Sequence, residues 1–525
     1  MASPNRCLKR NISICSLASD DESWNDMTEE NLGNATSELV FGSIYHDPYP
    51  IKSHITGMPG ALAREECASL KAGLVANGSK QISCSTLCSG TDLFLDVVEK
   101  VVSACCEYLA VPRTQPALGK TFACDNDCHV QSFLTDVKFA NTIFNDIADV
   151  AFSTAKIVAT QQEESIPRCQ LNATGWVCVD MSYLNGKRAS MLDCLSTGSG
   201  SSGATFEGYL KYLKRHKPLL SIAESVVGIM NNSSSSSGDS LSNAGCDNHG
   251  TVVSCLREAG YATSHVAVSP DDVGCPESRG RIYFLSMHES TYLQNSSSDD
   301  GRAPADLTEA AMCLAKRMAR VHIPRPLHDF VLPDNHPIVQ EARARARKEA
   351  TILQTQREAA VKKAKTRQRK WQEAHRKAFQ TLGVHYTEAE QNPVLKARSL
   401  MNPFFARLDL RQQDLLLYIE TACPLPELPV EEVTVNLTFS FDYVHNMPGK
   451  SCAITPGALI WARVSDRPLL GIERLMLHGF PVRYRERMEA VPESRLNSLA
   501  GNSFNGYNVA PLIVAMLPYV NIAWE

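Results

Sequence analysis

From about residue 81 the chain alternates short apolar runs with stretches whose apolar side chains recur at helical spacing. Gln81 to Leu87 predicts a strand and Ser89-Gly90-Thr91 a turn. Asp92 to Leu109 predicts a helix carrying Leu93, Leu95, Val97, Val98, Val101 and Val102. Lys120 to Cys124 predicts a second strand, closed by Asp125-Asn126-Asp127, and Phe144-Asn145-Asp146-Ile147 ends a third unit. Leu219 to Val227 is an apolar run interrupted by Glu224, and Arg281 to Met287 is β-rich. Strand, turn and helix in repetition predict an α/β fold with an open, mostly parallel sheet. Ligands in such sheets lie at the carboxyl ends of the strands.

The flanks read differently. Residues 1–80 form an extension whose first 35 residues are polar, acidic and expected to be mobile. Within it, Ala61 to Ala76 predicts a short amphipathic helix. Ser196 to Ser202, Asn231 to Ser240 and Asn295 to Asp300 are rich in Ser, Gly, Asn or Asp and predict flexible surface loops. The first lies close enough to Cys178 to serve as a lid, or is a solvated insertion. Pro324, Pro326, Pro333 and Pro337 punctuate a join near residue 325. Beyond it Glu341 to Lys377 predicts a basic helix, with thirteen Lys and Arg against four Glu. Val430 to Tyr443 alternates as a strand does, and Asn508 to Val520 is an apolar helix or strand.

Composition narrows the class. The 525 residues suffice for two or three domains, and 44% hydrophobic with 21% charged residues is ordinary for a globular protein. A net charge of -5 excludes a uniformly basic nucleic-acid coat. Any nucleic-acid face is local, and Arg343, Arg345, Arg347, Lys348, Lys362, Lys363, Lys365, Arg367, Arg369 and Lys370 are its candidates. A solvated helix face is the alternative, and a nuclear-import signal over Lys362 to Lys370 suits either reading. The 18 cysteines include Cys84 and Cys88, then Cys124 and Cys128 followed by His129. No second CxxC pair completes four zinc ligands, so no metal is expected. The opening residues lack the apolar core of a secretory leader, and no run of about 18 apolar residues suggests a membrane span. Free thiols in an intracellular, nuclear setting are expected, with Asn77, Asn172 and Asn436 as chance glycosylation matches.

The segment Gly175-Trp176-Val177-Cys178-Val179-Asp180-Met181-Ser182-Tyr183-Leu184-Asn185 sets one cysteine in a turn-like context. Alone it fits an inert buried thiol equally well. Other segments, in order, give it partners: Leu87-Cys88-Ser89-Gly90-Thr91-Asp92, Asp125, Asn145-Asp146-Ile147, Lys217-Pro218 through Glu224-Ser225-Val226, and Gly274-Cys275-Pro276-Glu277-Ser278-Arg279-Gly280-Arg281. Arg467 to Glu473, Leu477-His478-Gly479-Phe480-Pro481 and Ala500-Gly501-Asn502-Ser503-Phe504-Asn505 follow.

Together, over roughly 82–290 and 455–520, these segments resemble the cytosine-C5 methyltransferase family, which uses S-adenosylmethionine. The resemblance implies a Rossmann-like class I methyltransferase sheet with a smaller inserted target-recognition domain. It divides the chain into a catalytic domain at 81–325, a recognition region at 326–455 holding the basic helix, and a returning segment at 456–525. It implies that Cys88 and Gly90 approach the cofactor's methionine part, Asp125 its ribose and Asp146 its adenine, with Asn502 a further contact. It makes Cys178 the nucleophile that adds to cytosine C6, Glu224 a protonated partner for N3 with a pKa raised by burial, Arg281 a partner for O2, and Arg279 a brace. The target base would be flipped from DNA.

The chain departs from the family at several places. Cys88 replaces an aromatic residue, and Asp92 and Leu93 replace glycines. Val177 and Val179 stand where the family has Pro and Gln around the cysteine. Ser225 replaces Asn, and Glu277 replaces Gln. The expected activity is that of a DNA (cytosine-5-)-methyltransferase. A catalytically weakened relative that binds nucleic acid, or an RNA cytosine methyltransferase, are the alternatives. Oligomeric state is open.

Overall fold

The computed structural model describes residues 51–519, apart from 78–79, 114, 184, 192, 231–246, 291–303, 321–323, 364–369, 390, 426–431, 440–443, 445, 482–487 and 489–490; of residues 354–370 no side chain is described. The expected mobility of the first 35 residues, the loops Asn231 to Ser240 and Asn295 to Asp300, and the import signal lie outside the described residues.

The strands are β1 (Ile82–Leu87), β2 (Leu118–Cys124), β3 (Thr142–Phe144), β4 (Thr154–Lys156), β5 (Glu163–Ser165), β6 (Leu171–Thr174), β7 (Leu220–Val226), β8 (Tyr261–Val268) and β9 (Arg281–His288). Seven of them form one sheet in the order β3-β2-β1-β6-β7-β9-β8, and β4 pairs with β5. The pairs from β3 to β7 are parallel and β9 is antiparallel to both neighbours, so the expected mostly parallel α/β sheet is borne out. The chain begins in the middle, runs outward to β3, and returns to build β6 and β7 on the other side. Such a switch leaves a crevice at the carboxyl ends of β1 and β6.

β1 and β7 are buried along their whole length. Their polar side chains are satisfied within the core. Ser85 is 3.0 Å from Tyr212 Oη, and Ser221 is 2.8 Å from Tyr209 Oη and 3.0 Å from Asn172 Oδ1. Asn172 and Asn436 are buried, which leaves no room for a glycan at either.

The helix Leu93–Tyr108 follows β1, and Arg64–Asn77 matches the helix expected at 61–76. The segment Ser196 to Ser202 lies at the surface, with residues 196–201 exposed, but is largely helical rather than a loop. It spans a short helix, Cys194–Thr197, and the start of another, Gly200–His216. At its end small residues pack: Ser202 is fully buried, and a Cβ at the following Gly203 would lie 2.4 Å from the Cys194 carbonyl. The apolar end segment is a helix, Gly506–Met516, buried throughout and packed against Leu93–Tyr108.

A second layer uses β10 (Val433–Asn436), β11 (Asn446–Pro448), β12 (Ile460–Ala462) and β13 (Arg467–Pro468) in the antiparallel order β11-β10-β12-β13. The helices Pro393–Met401, Pro403–Arg407 and Leu410–Ala422 cover it, capped by Asn392, Asn402 and Asp409. Phe404, Phe405, Leu415, Val435 and Trp461 form its core. β12 and β13 belong to this layer although their residues lie past 455. The basic stretch forms the helices Pro337–Lys363 and Lys370–Thr381. The first buries Ala346 in the layer's core.

Candidate active site

Cys178 follows β6 in a short turn that the neighbouring elements hold on several sides. Gly175 N donates to Leu87 O at 3.3 Å, and Met181 N donates to Cys178 O at 3.1 Å. Val177 N donates to Thr205 Oγ1 at 3.2 Å. Asp180 and Ser202 bond twice, Asp180 N to Ser202 Oγ at 3.2 Å and Ser202 N to Asp180 Oδ2 at 2.9 Å. The start of helix Gly200–His216 therefore grips the loop from behind. A proline at 177 could not make the bond to Thr205. The valine exchanges a rigid φ for a hydrogen bond.

β9 runs against its neighbour, so its first residue lies at the edge where the parallel strands end. Val226 is paired with Arg281 and Glu224 with Tyr283. This register brings Arg281 Nε to 2.9 Å from Glu224 Oε1, with both side chains largely buried. The partner that Glu224 lacks within its apolar run is thus supplied by β9. Arg281 Nη1 also donates to Gly280 O at 2.9 Å, which fixes the guanidinium plane. Cys178 lies within electrostatic reach of this pair. Burial pushes its thiol above the ordinary range, Arg281 draws it down, Glu224 raises it and Arg279 lowers it.

Arg279 is placed elsewhere. It is buried, and its guanidinium donates to the carbonyls of Ile454, Gly501 (3.1 Å) and Ser503 (3.3 Å). It braces the returning segment. Glu277 is buried beside it. It accepts from Ile454 N at 3.1 Å and Asn505 Nδ2 at 2.9 Å, and its Oε2 is 3.2 Å from His478 Nε2. Burial opposes its charge, but His478, Arg279 and the Ile454 amide outweigh that and hold its carboxyl below the usual range. The departure from glutamine at this position comes with a buried imidazole to receive it.

The other candidates occupy the opposite half of the same edge. Cys88, Asp125 and Asp146 follow β1, β2 and β3 and are each partly exposed; Asn502 is exposed. Asp125 accepts from Gly90 N and Asp127 N, each at 3.1 Å. Burial raises its carboxyl, which those two amides lower in turn, and Asp127 and Asp146 raise it further. A carboxylate offers about four acceptor positions, so acceptors remain for ribose hydroxyls. Asp146 accepts from Ala148 N at 2.8 Å. These residues fit S-adenosylmethionine in kind: acids for hydroxyls and a cationic sulfur, with polar groups at the strand ends. Gly90 has a second reason to be glycine. Its φ is +55°, and a Cβ there would lie 2.6 Å from Asn502 O. The close approach is to the returning segment of the chain itself.

Asp92 was not expected as a functional residue, though it stands in a glycine's place. Its φ is +56° and its carboxyl is fully buried, accepting from Thr86 Oγ1 at 2.6 Å. Burial lifts it well above the carboxylate range, against the Thr86 bond. The side chain turns inward to β1. Thr205 was likewise missed; Ser202, His478 and Asn505 stand in segments the sequence singles out, but their bonds to Asp180 and Glu277 were not expected.

Of the basic candidates, Arg343 pairs with Asp334 at 3.0 Å and Arg345 with Glu341 at 2.8 Å, while Arg347 and Lys348 are exposed. The side chains of Lys362, Lys363, Lys365, Arg367, Arg369 and Lys370 lie outside the described residues. Asp127, Cys128 and His129 are exposed, with possible ligand atoms within 4.8 Å of one another. Cys84 and Cys124 are buried in strands and take no part in that group. Among the described residues no helix is long and apolar enough to cross a membrane.

The model of the C-5 cytosine-specific DNA methylase family matches residues 121–510. The chain belongs to this family. It is 23% identical over 458 residues to the DNA (cytosine-5-)-methyltransferase DMT5 of Cryptococcus neoformans. The match covers 84% of this chain and 17% of that protein, so the methylase chain spans about a sixth of its relative's length. Among solved structures, S. pombe Dnmt2 methyltransferase is 13% identical with a TM-score of 0.40, covering 83% of this chain and 98% of that one. Entamoeba histolytica methyltransferase EhMeth is 10% identical with a TM-score of 0.39 at the same coverage.

Proposed function

We propose that this methylase methylates C5 of cytosine in DNA, with Cys178 as the nucleophile that adds to C6. The observation that carries this is the Glu224–Arg281 pair, 2.9 Å apart at the sheet edge where β6 ends in the Cys178 turn, with Cys178 within its electrostatic reach. S-adenosylmethionine, held by Cys88, Gly90, Asp125, Asp146 and Asn502, would supply a methyl group on a cationic sulfur.

Cytosine C5 is a poor nucleophile until something adds at C6. The Cys178 thiolate forms a bond to C6, and the ring electrons move toward C5. Arg281 holds O2, and Glu224 in its protonated form donates to N3, so charge arising on the ring meets donors already in place. After C5 has taken the methyl group, its proton leaves to a base and the S–C6 bond breaks, restoring thiolate and aromatic ring. The base must leave the duplex stack to reach Cys178. Basic side chains of 341–377 would hold phosphates, and a nuclear location suits that substrate.

The partners found for two substituted positions favour an active enzyme over a weakened relative, although the buried Ser225 hydroxyl has none. Val177 has Thr205, and Glu277 has His478. The test is incubation with labelled S-adenosylmethionine and duplex DNA or RNA, with Cys178→Ala as control. Transfer to DNA that the variant loses supports the proposal. Cofactor binding without transfer supports the weakened relative, and transfer to RNA alone supports the RNA enzyme. A 5-fluorocytosine duplex should trap a covalent adduct only when the thiol is present.

A further inference from the structure

We propose that a cavity apart from the Cys178 site binds an apolar α-amino acid, with its carboxylate on Arg474 and its ammonium on Glu493. The cavity measures about 630 Å³. Sites for small molecules span about 300–1,000 Å³. The helices Pro337–Lys363, Pro403–Arg407 and Glu493–Gly501 contribute to its walls, and none of Cys178, Glu224 or Arg281 lines it. Leu408, Leu469, Ile472, Met488 and Leu496 make much of the lining apolar.

The charges of the lining cancel. Arg345, Arg407 and Arg474 stand against Glu341, Glu349 and Glu493. Arg345 pairs with Glu341 and Arg407 with Glu349, each at 2.8 Å. Arg474 and Glu493 are left over. Arg474 is 1% exposed and makes no ion pair among the described residues. Its Nε donates to Leu469 O at 3.1 Å and its Nη1 to Ala458 O at 2.6 Å, both neutral carbonyls. Nη2 has no acceptor among the described residues. Burial draws this guanidinium down to about 10, against the pull of Glu493 and Glu473. Glu493 Oε1 accepts from Gly471 N at 2.6 Å, and burial pushes the carboxyl up while that amide and Arg474 lower it.

A buried guanidinium and carboxylate that stop short of pairing each remain costly. An occupant with an anion for one and a cation for the other offsets both. A phosphate or a dicarboxylate would bring net charge into a neutral lining. A fatty acid would leave Glu493 without a donor. An α-amino acid is neutral overall, presents a carboxylate beside N–H donors, and has an apolar side chain for the leucine-rich walls.

The test is titration calorimetry of the protein with L-leucine. Neither methyl donor nor DNA is present, so the result is independent of the role of Cys178. L-leucine is expected to bind. L-leucinamide, which lacks the carboxylate, and 4-methylpentanoate, which lacks the ammonium, should each bind about tenfold more weakly. Glu493→Gln keeps an acceptor for Gly471 N and should weaken L-leucine about tenfold while leaving 4-methylpentanoate unchanged. Ala342→Phe places a ring in the cavity and should abolish L-leucine binding. Thermal unfolding checks that both variants keep the fold, and the analogue series on the natural protein needs neither variant. Absence of L-leucine binding overturns the proposal. So does equal binding of L-leucine and its two analogues, or full binding by folded Ala342→Phe.

Discussion

His478 Nε2 lies 3.2 Å from Glu277 Oε2, and both side chains are fully buried. The two residues join the strand entry that carries Arg281 to the returning segment that carries Asn502. Asn505 and the Ile454 amide complete the Glu277 carboxylate's bonds. Removing one member of a buried pair leaves the other uncompensated, at about 3–5 kcal/mol. His478→Ala is expected to destabilise on that order in urea unfolding. Glu277→Gln keeps an acceptor for Ile454 and should cost less. The double variant should show a coupling of about 1–3 kcal/mol. Simple additivity would mean that the pair contributes nothing as a pair.

The same carboxylate gives the fold a defined acid response. Glu277's folded pKa lies below its ordinary value, near 4.3 in the unfolded chain. Its contribution to stability is therefore present above that value and lost as pH falls through the lower folded one. Unfolding midpoints between pH 6 and pH 2.5 should fall more steeply for the natural protein than for Glu277→Gln. Parallel curves would exclude this group as the cause.

Asp92 has the opposite sign. Its folded pKa is raised, so the fold is penalised as pH climbs from the unfolded carboxylate value, about 3.9, toward the folded one. Asp92→Asn should be as stable as the natural protein or more so at pH 7, and should lose that pH dependence. Asn keeps the acceptor for Thr86 and tolerates the φ of +56°. Asp92→Ala has neither property and should be less stable than Asp92→Asn. Calorimetry at pH 5 and pH 7 checks both variants.

Much of the sheet was legible because β1, β7 and β9 are short buried runs, whereas β8, half-buried along much of its length, and the four-residue β6 were not read as strands. Glu224, Arg281, Asp125 and Asp146 were brought to one edge by the family resemblance of their segments. Their supports were not. The bond from Val177 to Thr205 spans 28 residues, and Glu277 meets His478 across 201. Neither distance leaves a local pattern. Ser196 to Ser202 misled because small residues suit both flexible loops and tight packing. Residues 196–201 are exposed, but Ser202 lies against Asp180 and the following Gly203 against Cys194, so smallness reflects contact at the segment's end. The basic stretch showed helix, charge and the i,i+4 spacing of Glu341 and Arg345, but not that Arg343 would reach Asp334 outside it.

The aim of the nucleophile depends on the bond from Val177 N to Thr205 Oγ1. Thr205→Val removes the acceptor and Val177→Pro removes the donor. Each should slow adduct formation with 5-fluorocytosine DNA about tenfold, while stability changes by about 0.5–1.5 kcal/mol. Both changes act through one bond, so the double variant should be no slower than the worse single one. Because proline also restores a rigid φ of about -65°, Val177→Pro should recover more rate than Thr205→Val if stiffness alone aims the sulfur. Equal losses favour the hydrogen bond. Burial raises the thiol while Arg281 lowers it, so trapping should speed up from pH 7 to pH 9, and Arg281→Gln should push that rise to higher pH. A rate independent of pH over this range would mean that thiolate formation does not limit the attack.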